Sequence, residues 1–339
     1  MSSPGADLSR RLRRDKEDRA TNASRYIFGP VHSGRLGLSL GLDLLGARIC
    51  TFDCLYCEAG ATDALTVSRK PYVPAGRILD ELAAFKAAGP GRLDVVTLGG
   101  MGEPTLNTDC GAIIAGAKEL FPNVPVAVLT NSSLLSDPQV RADLAGADIV
   151  LPSMDTLVQA EYRRLNRPHP SMDLDAIRRG LLDFRAGFSG ALYLEILLLA
   201  GVNDTEENLE QLRAFCRQLA PTRVDVVTMS RPGAHPGAHA VAPETLARFR
   251  EALGVTRPAS DATAGEGHGP AALRARATED LAARIAASVA RRPQTAQDMS
   301  LALGQPIAAV QAALDALERR GDVRRELAGG EIFYSGTAG

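Results

Sequence analysis

Residues 38–57 decide the fold class of this chain, and they read Leu-Ser-Leu-Gly-Leu-Asp-Leu-Leu-Gly-Ala-Arg-Ile-Cys-Thr-Phe-Asp-Cys-Leu-Tyr-Cys. The first eight residues are a short, mostly apolar run, which is typical of a buried strand. Three thiols, Cys50, Cys54 and Cys57, follow within eight residues of one another. The stretch therefore predicts a strand over Leu38–Leu45 and, after it, a loop that folds three thiols around one centre.

Apolar runs of the same kind recur along the chain, and segments of helical period lie between them. Residues spaced three and four apart, such as Leu174, Ile177, Leu181 and Phe184, mark the helices. This alternation implies parallel strands with right-handed crossovers, as in a doubly wound sheet or in a full or partial barrel. Six units are fewer than the eight of a closed barrel, so the prediction is an α/β fold, a partial (β/α)6 TIM-like barrel. The other five strand candidates are Asp94–Leu98, Pro125–Thr130, Asp148–Leu151, Leu192–Leu199 and Val224–Met229.

Composition limits the class of protein. The chain has 339 residues, 45% of them hydrophobic, and a formal net charge of only −2. No global field attracts it to nucleic acid or to an anionic membrane, and no apolar run has the length of a bilayer span. Three of five cysteines lie close together, which indicates metal ligands in a reducing compartment rather than disulfides. We therefore expect a cytoplasmic protein with no membrane partner.

Changes in composition along the chain divide it into four parts. Residues 1–25 are polar, carry charges of both signs and are predicted to be a mobile tail. A core barrel is predicted over 26–253, and a flexible linker rich in Pro, Ala and Gly over 254–277. Three helix patterns and a strand pair around Gly329 then predict a small winged helix-turn-helix-like domain over 278–339, able to fold apart from the barrel.

Three thiolates can bind three irons of a cubane cluster and leave the fourth iron open to a small molecule with amino and carboxylate groups. A structural zinc site is the alternative, but it requires a fourth ligand at conventional spacing. His32 is the only histidine near the three thiols in sequence.

The spacing CxxxCxxC, with an aromatic residue at Tyr56 before the last cysteine, resembles the radical S-adenosylmethionine (SAM) superfamily. The segment Leu98-Gly-Gly-Met-Gly-Glu-Pro-Thr-Leu resembles the glycine-rich segment of that family. The resemblance implies that Cys50, Cys54 and Cys57 bind a [4Fe-4S] cluster, that Gly100 and Gly102 let the backbone approach SAM, and that Glu103 holds its ammonium group. A tight turn with Glu103 as a helix N-terminal charge is the alternative interpretation.

Polar residues follow the later strands, and the resemblance assigns some of them to SAM. Asn131, Ser153 and Asp155 are implied to hydrogen-bond the carboxylate and ribose, and Val202 is implied to contact adenine through its backbone. Asn, Ser and Asp after a strand are equally common as turn and N-cap residues, so both interpretations stay open.

A narrower resemblance covers residues 26–232. Tyr26-Ile-Phe-Gly-Pro-Val-His-Ser-Gly-Arg-Leu-Gly and Leu165-Asn-Arg-Pro are similar to a branch that includes wyosine-tRNA synthases and glycyl-radical activases. Those synthases resemble two-cluster proteins, whereas the remaining cysteines here, Cys110 and Cys216, are isolated on predicted helices. The wyosine reaction is therefore not assigned.

The resemblance implies an iron-sulfur oxidoreductase that cleaves SAM reductively and starts radical chemistry on an RNA, a protein or a metabolite. It also implies a one-electron donor such as flavodoxin or ferredoxin. The competing hypothesis is a metal-sensing DNA-binding regulator. DNA binding is not favoured because residues 279–339 carry seven arginines against eight acidic residues. The roles of His32, Arg35, His235 and His239 stay open.

Overall fold

The structure is a computed structural model that describes residues 26–89, 91–255 and 278–337. The predicted tail over 1–25 and nearly all of the predicted linker lie outside these residues. Among the described residues, no helix is both long and apolar enough to cross a membrane.

A curled sheet of seven strands forms a half barrel, in the order β1-β2-β5-β6-β7-β8-β9. All neighbours from β2 to β9 pair in parallel. The six predicted strands are all present, each within two residues of its expected ends, and the α/β partial-barrel prediction is confirmed. The strands are β1 (Ile27–Ser33), β2 (Gly37–Asp43), β5 (Val95–Gly99), β6 (Val126–Thr130), β7 (Ile149–Pro152), β8 (Ala191–Leu198) and β9 (Arg223–Thr228), and a separate short pair is β3 (Ile49–Cys50) with β4 (Ala64–Leu65).

The strand β1 is absent from the strands predicted from the sequence. His32 lies in β1, which pairs antiparallel with β2 from Ile27 opposite Leu42 to Ser33 opposite Gly37. Arg35 lies in the turn between the two strands. The antiparallel partner gives the otherwise open edge of β2 a set of backbone hydrogen bonds.

Helices cover the outer face of the sheet, and their apolar stripes explain the packing. The helix Leu174–Gly187 begins after Asp173, whose carboxylate accepts the N–H of Ala176 at 2.6 Å, and it buries the apolar positions that predicted it. The helices are α1 (Ala75–Ala87), α2 (Cys110–Leu120), α3 (Pro138–Leu144), α4 (Gln159–Asn166), α5 (Leu174–Gly187), α6 (Glu206–Leu219) and α7 (Pro243–Ala252).

A second region follows residue 278 and has a hydrophobic core of its own, which includes Ile285, Val310 and Leu314. Its elements are α8 (Thr278–Val289), β10 (Gln294–Thr295), α9 (Ala296–Leu303), α10 (Ile307–Arg320), β11 (Val323–Ala328) and β12 (Glu331–Gly336). The three strands form a sheet in the order β10-β12-β11. The helices α8 and α9 pack against β1. The winged-helix interpretation of this region stays a prediction.

Candidate functional site

The loop that carries the three thiols is fixed by backbone contacts with α4. Cys50 ends the short strand β3. The N–H of Asp53 donates to the carbonyl of Asn166 at 3.0 Å, and that of Leu55 donates to Leu165, also at 3.0 Å. We call residues 50–57 the cluster loop. Its shape therefore depends on a helix more than a hundred residues further along the chain.

The glycine-rich segment lies directly against this loop. Gly102 has φ +123°, and a Cβ there would come within 1.9 Å of the carbonyl oxygen of Ile49. Gly100 has φ +105°, and its missing side chain leaves space for Asp43. The N–H of Glu103 donates to the same Ile49 carbonyl at 3.1 Å. Only glycine permits this approach, so Gly102 lies against Ile49, directly before the cluster loop, while Gly100 lies against Asp43.

Glu103 is buried, with 1% of its surface exposed, and accepts four hydrogen bonds. Its Oε1 takes the N–H and hydroxyl of Thr105 and the hydroxyl of Thr130, and its Oε2 takes the N–H of Asn131 at 2.7 Å. Burial raises the pKa of Glu103, and the bonds from Thr105, Asn131 and Thr130 oppose that shift. Oε2 has one protein donor against three on Oε1, so it is the oxygen with capacity left for a ligand.

Two asparagine side chains donate to two of the sulfurs. The amide of Asn131 donates to Cys50 Sγ at 3.5 Å and to Thr51 Oγ1 at 2.8 Å. The amide of Asn166 donates to Cys54 Sγ at 3.5 Å and to Asp155 Oδ2 at 3.1 Å. The sequence pattern does not identify Asn166 as a site residue. Asn166 belongs to the Leu165-Asn-Arg-Pro string, whose resemblance to a branch of the family assigns this residue no role.

The three thiols are half-buried, and the loss of hydration raises the pKa of each of them. Burial, and then the charge of Glu103, raise the pKa of Cys50 to about 12. Burial and the neighbouring thiols raise the pKa of Cys54, and burial raises that of Cys57. Each thiol needs a cation to hold it as a thiolate, and metal binding has to release its proton.

This donor set fits an iron-sulfur cluster. Soft thiolate ligands favour such clusters, and N–H donors to sulfur are a usual part of their surroundings. Within the described part of the chain, no three His, Cys, Asp or Glu side chains converge closely enough to hold a single metal ion. A cubane does not need that convergence, because each thiolate binds a different iron.

A small cavity of about 20 Å³ adjoins the loop and is lined by Tyr56, Asn131, Ser153 and Asp155, among others. The structure thus brings four predicted SAM contacts together. The hydroxyl of Tyr56 donates to Asp155 Oδ2, and Asp155 Oδ1 accepts the N–H of Leu197 at 2.9 Å. Burial raises the pKa of both Asp155 and Tyr56. Val202 is buried beside Tyr56 in a small apolar cluster.

The sequence assigns no role to His32, Arg35, His235 or His239, and their surroundings in the structure differ. Arg35 pairs with Glu195 of β8. His235 Nε2 lies 3.6 Å from Asp53 and 3.0 Å from Arg167, so it contacts the cluster loop. His32 accepts a bond from Arg292 at its backbone carbonyl. His239 is exposed.

Comparisons with known proteins agree with this geometry. The model of the Radical SAM superfamily matches residues 44–216. A UPF0026 protein of Synechocystis sp. is 39% identical over 61% of this chain and 76% of its own length. A protein named GTPase Obg, of Brachyspira hyodysenteriae, is 30% identical over 92% of this chain, and the chain spans 45% of that relative's length.

Among solved structures, a radical SAM methyltransferase from Sphaerobacter thermophilus matches with a TM-score of 0.47 and 18% identity, covering 63% of this chain and 62% of that chain. The family model covers about half of the sequence, and its range contains the cluster loop, the glycine-rich segment and the cavity. The chain is related to the UPF0026 proteins and belongs to the radical SAM superfamily, whose cofactors are a [4Fe-4S] cluster and SAM.

Proposed function

We propose that this protein is an enzyme that holds a [4Fe-4S] cluster on Cys50, Cys54 and Cys57 and cleaves SAM reductively to start radical chemistry on a substrate. One observation carries the proposal. The three thiols lie in a single loop that contacts the segment from Gly100 to Glu103 through Ile49. Thiolates for the cluster and a carboxylate for the ammonium of SAM are therefore adjacent.

When bound and reduced by one electron, the cluster supplies the electron that splits SAM into methionine and a 5'-deoxyadenosyl radical. The protein residues hold and orient the reactants. Cys50, Cys54 and Cys57 would hold the cluster as thiolates, and the cluster would supply an open iron site for SAM. Asn131 and Asn166 donate to sulfur and stabilise its negative charge.

Glu103 is proposed to accept the ammonium of SAM at Oε2, the oxygen with one protein donor. A charge-assisted bond in a buried place is stronger than a neutral one, so it fixes the amino group firmly. Gly100 and Gly102 keep the backbone beside it free of side chains. Tyr56, Ser153, Asp155 and Val202 are proposed to bind the remainder of SAM. A one-electron donor such as flavodoxin or ferredoxin is the proposed partner.

The decisive experiment is anaerobic reconstitution followed by metal and product analysis. We expect about four irons with matching sulfide per chain, and slow release of 5'-deoxyadenosine from SAM when dithionite is added. Stoichiometric zinc without SAM cleavage would contradict the proposal. The matched control is the double variant C110A/C216A, which removes both cysteines outside the cluster loop and should keep iron and cleavage unchanged.

A further inference from the structure

The region after residue 278 lies across the open side of the half barrel. The two edge strands of the sheet are β1 and β9. Arg292 donates to the carbonyl of His32 in β1 at 3.2 Å. Asp298 of α9 lies 3.5 Å from Arg231, which follows β9. The C-terminal region therefore contacts the chain at both edges of the open sheet.

Two adjacent arginines of this region differ in their ionic partners, and Arg291 is the one that faces a carboxylate. Its guanidinium lies 3.4 Å from Asp43, and both side chains are buried. It also stacks on the ring of Phe28 with 4.9 Å to the centroid, and it donates to the carbonyl of Ala287. A buried ion pair resists separation, because removing either partner leaves an uncompensated buried charge.

Arg292 differs from Arg291 in its lack of a carboxylate partner among the described residues. Within the described residues, no carboxylate lies within ion-pair distance of its guanidinium, and its buried Nε has no hydrogen-bond partner. Glu58 and Asp298 are nearby, but each of them pairs with Arg231, at 3.5 Å in both cases. Burial, and then the positive charge of Arg231, lower the pKa of Arg292 to about 10, and Arg35 adds to this effect.

Arg292 is half-buried, and its buried Nε–H, which has no hydrogen-bond partner, is a costly arrangement that stability alone does not explain. Arg292, Arg231 and Arg35 lie near one another, and Glu58 follows the last cysteine of the cluster loop directly. We propose that Arg292 binds an anionic group of the substrate, a carboxylate or a phosphate, at the open side of the half barrel beside the cluster loop. Its planar guanidinium, with the free Nε–H, matches either oxyanion with two parallel hydrogen bonds. That the bound anion belongs to a substrate rests on the proposed function.

The first test titrates the 339-residue chain without its cluster, with inorganic phosphate in one series and acetate in another. Calorimetry measures anion binding, and thermal unfolding measures Tm. We expect one or both anions to bind and to raise Tm with concentration. Arg292→Met should weaken this binding by about tenfold to a hundredfold, while Arg292→Lys keeps part of it. The exposed Arg213→Gln is the control and should bind as the unchanged chain does. Phosphate binding alone indicates a phosphorylated substrate, and acetate binding alone indicates a carboxylate.

The second test compares the adjacent arginines in anion-free buffer. Arg291→Met should lower Tm by about 6 °C or more, because it leaves Asp43 unpaired. Arg292→Met should leave Tm unchanged or raise it, since it removes a half-buried charge that has no carboxylate partner among the described residues. A fall in Tm like that of Arg291→Met would show Arg292 to be structural and overturn the proposal, as would anion binding that survives in Arg292→Met.

These outcomes are separate from those that test the function. Failure of the chain to assemble a cluster would refute the enzyme and leave the anion measurements standing. In the reconstituted protein, Arg292→Met should bind SAM as tightly as the unchanged chain. Weaker SAM binding would show that the guanidinium pairs with the SAM carboxylate, and it would overturn the assignment to substrate.

Discussion

The cluster loop and the helices α2 and α6 hold the five cysteines of the chain in two different settings. Burial is the first cause of a raised pKa in all of them, and Cys50, Cys110 and Cys216 each reach about 12. The pKa therefore does not distinguish a ligand thiol from a core thiol. A buried thiol in a helix and a buried thiol in a metal site lose hydration alike.

The neighbours of the sulfurs distinguish them. Cys50 and Cys54 each accept an amide N–H, from Asn131 and Asn166. In the described part of the chain, the sulfur of Cys110 or Cys216 has no such donor. Cys110 packs fully buried in the main core, while Cys216 is partly exposed at its margin. A ligand thiol is thus distinguished from a core thiol by the other thiols and the N–H groups around its sulfur.

The largest expected effect is loss of the cluster. Cys50→Ala, Cys54→Ala and Cys57→Ala should each abolish the cluster absorption of reconstituted protein, because a cubane held by two thiolates is not retained. Cys110→Ala and Cys216→Ala should keep full iron and sulfide content. A complete [4Fe-4S] cluster in any of the first three variants would refute the ligand assignment.

A substitution at Glu103 tests SAM binding separately from cluster binding. Glu103→Gln should weaken SAM binding by about tenfold to a hundredfold, because it removes a charge-assisted hydrogen bond worth about 1.5 to 3 kcal/mol. Iron content should stay unchanged. Equilibrium dialysis of SAM against the reconstituted protein measures the effect. If the SAM affinity is the same in the variant, Glu103 has only the structural role that its four hydrogen bonds give it.

The two core cysteines should differ in their effect on stability. Cys110→Ser places a hydroxyl in an apolar core and should lower the free energy of unfolding by about 1 to 3 kcal/mol. Cys216→Ser, at a partly exposed position, should lower it by less than about 1 kcal/mol. Urea unfolding of the cluster-free protein gives both values. Equal losses would mean that exposure at these two positions does not govern the cost.

The smallest effect concerns the amide donors to sulfur. Asn166→Ala removes the N–H that Cys54 accepts, so it should lower the reduction potential of the cluster by about 40 mV, equivalent to about 1 kcal/mol for one electron. Asn208→Ala is the matched control, because Asn208 donates to the Asp155 carbonyl and to no sulfur. A redox titration followed by electron paramagnetic resonance measures both. Equal potentials in the two variants would remove Asn166 from the cluster environment.

Most of the fold could be predicted from the sequence because its signals are local. The six parallel strands appeared as apolar runs, and the helix α5 appeared as a stripe of residues three and four apart. The pattern of β1 does not predict a strand because Gly29 and Pro30 interrupt it. The strand pairs with β2 through backbone hydrogen bonds, which the local side-chain pattern does not indicate.

The chemistry of the cluster loop can be read from its local sequence. Three thiols within eight residues are held close by the chain itself, so their spacing predicts a common centre whatever surrounds them. The groups around the thiols depend on the tertiary fold. Asn166 lies 112 positions from Cys54, and Arg292 lies 260 positions from His32. Such contacts depend on how helices and strands pack, and no local pattern encodes them because each partner is an ordinary polar residue in its own segment.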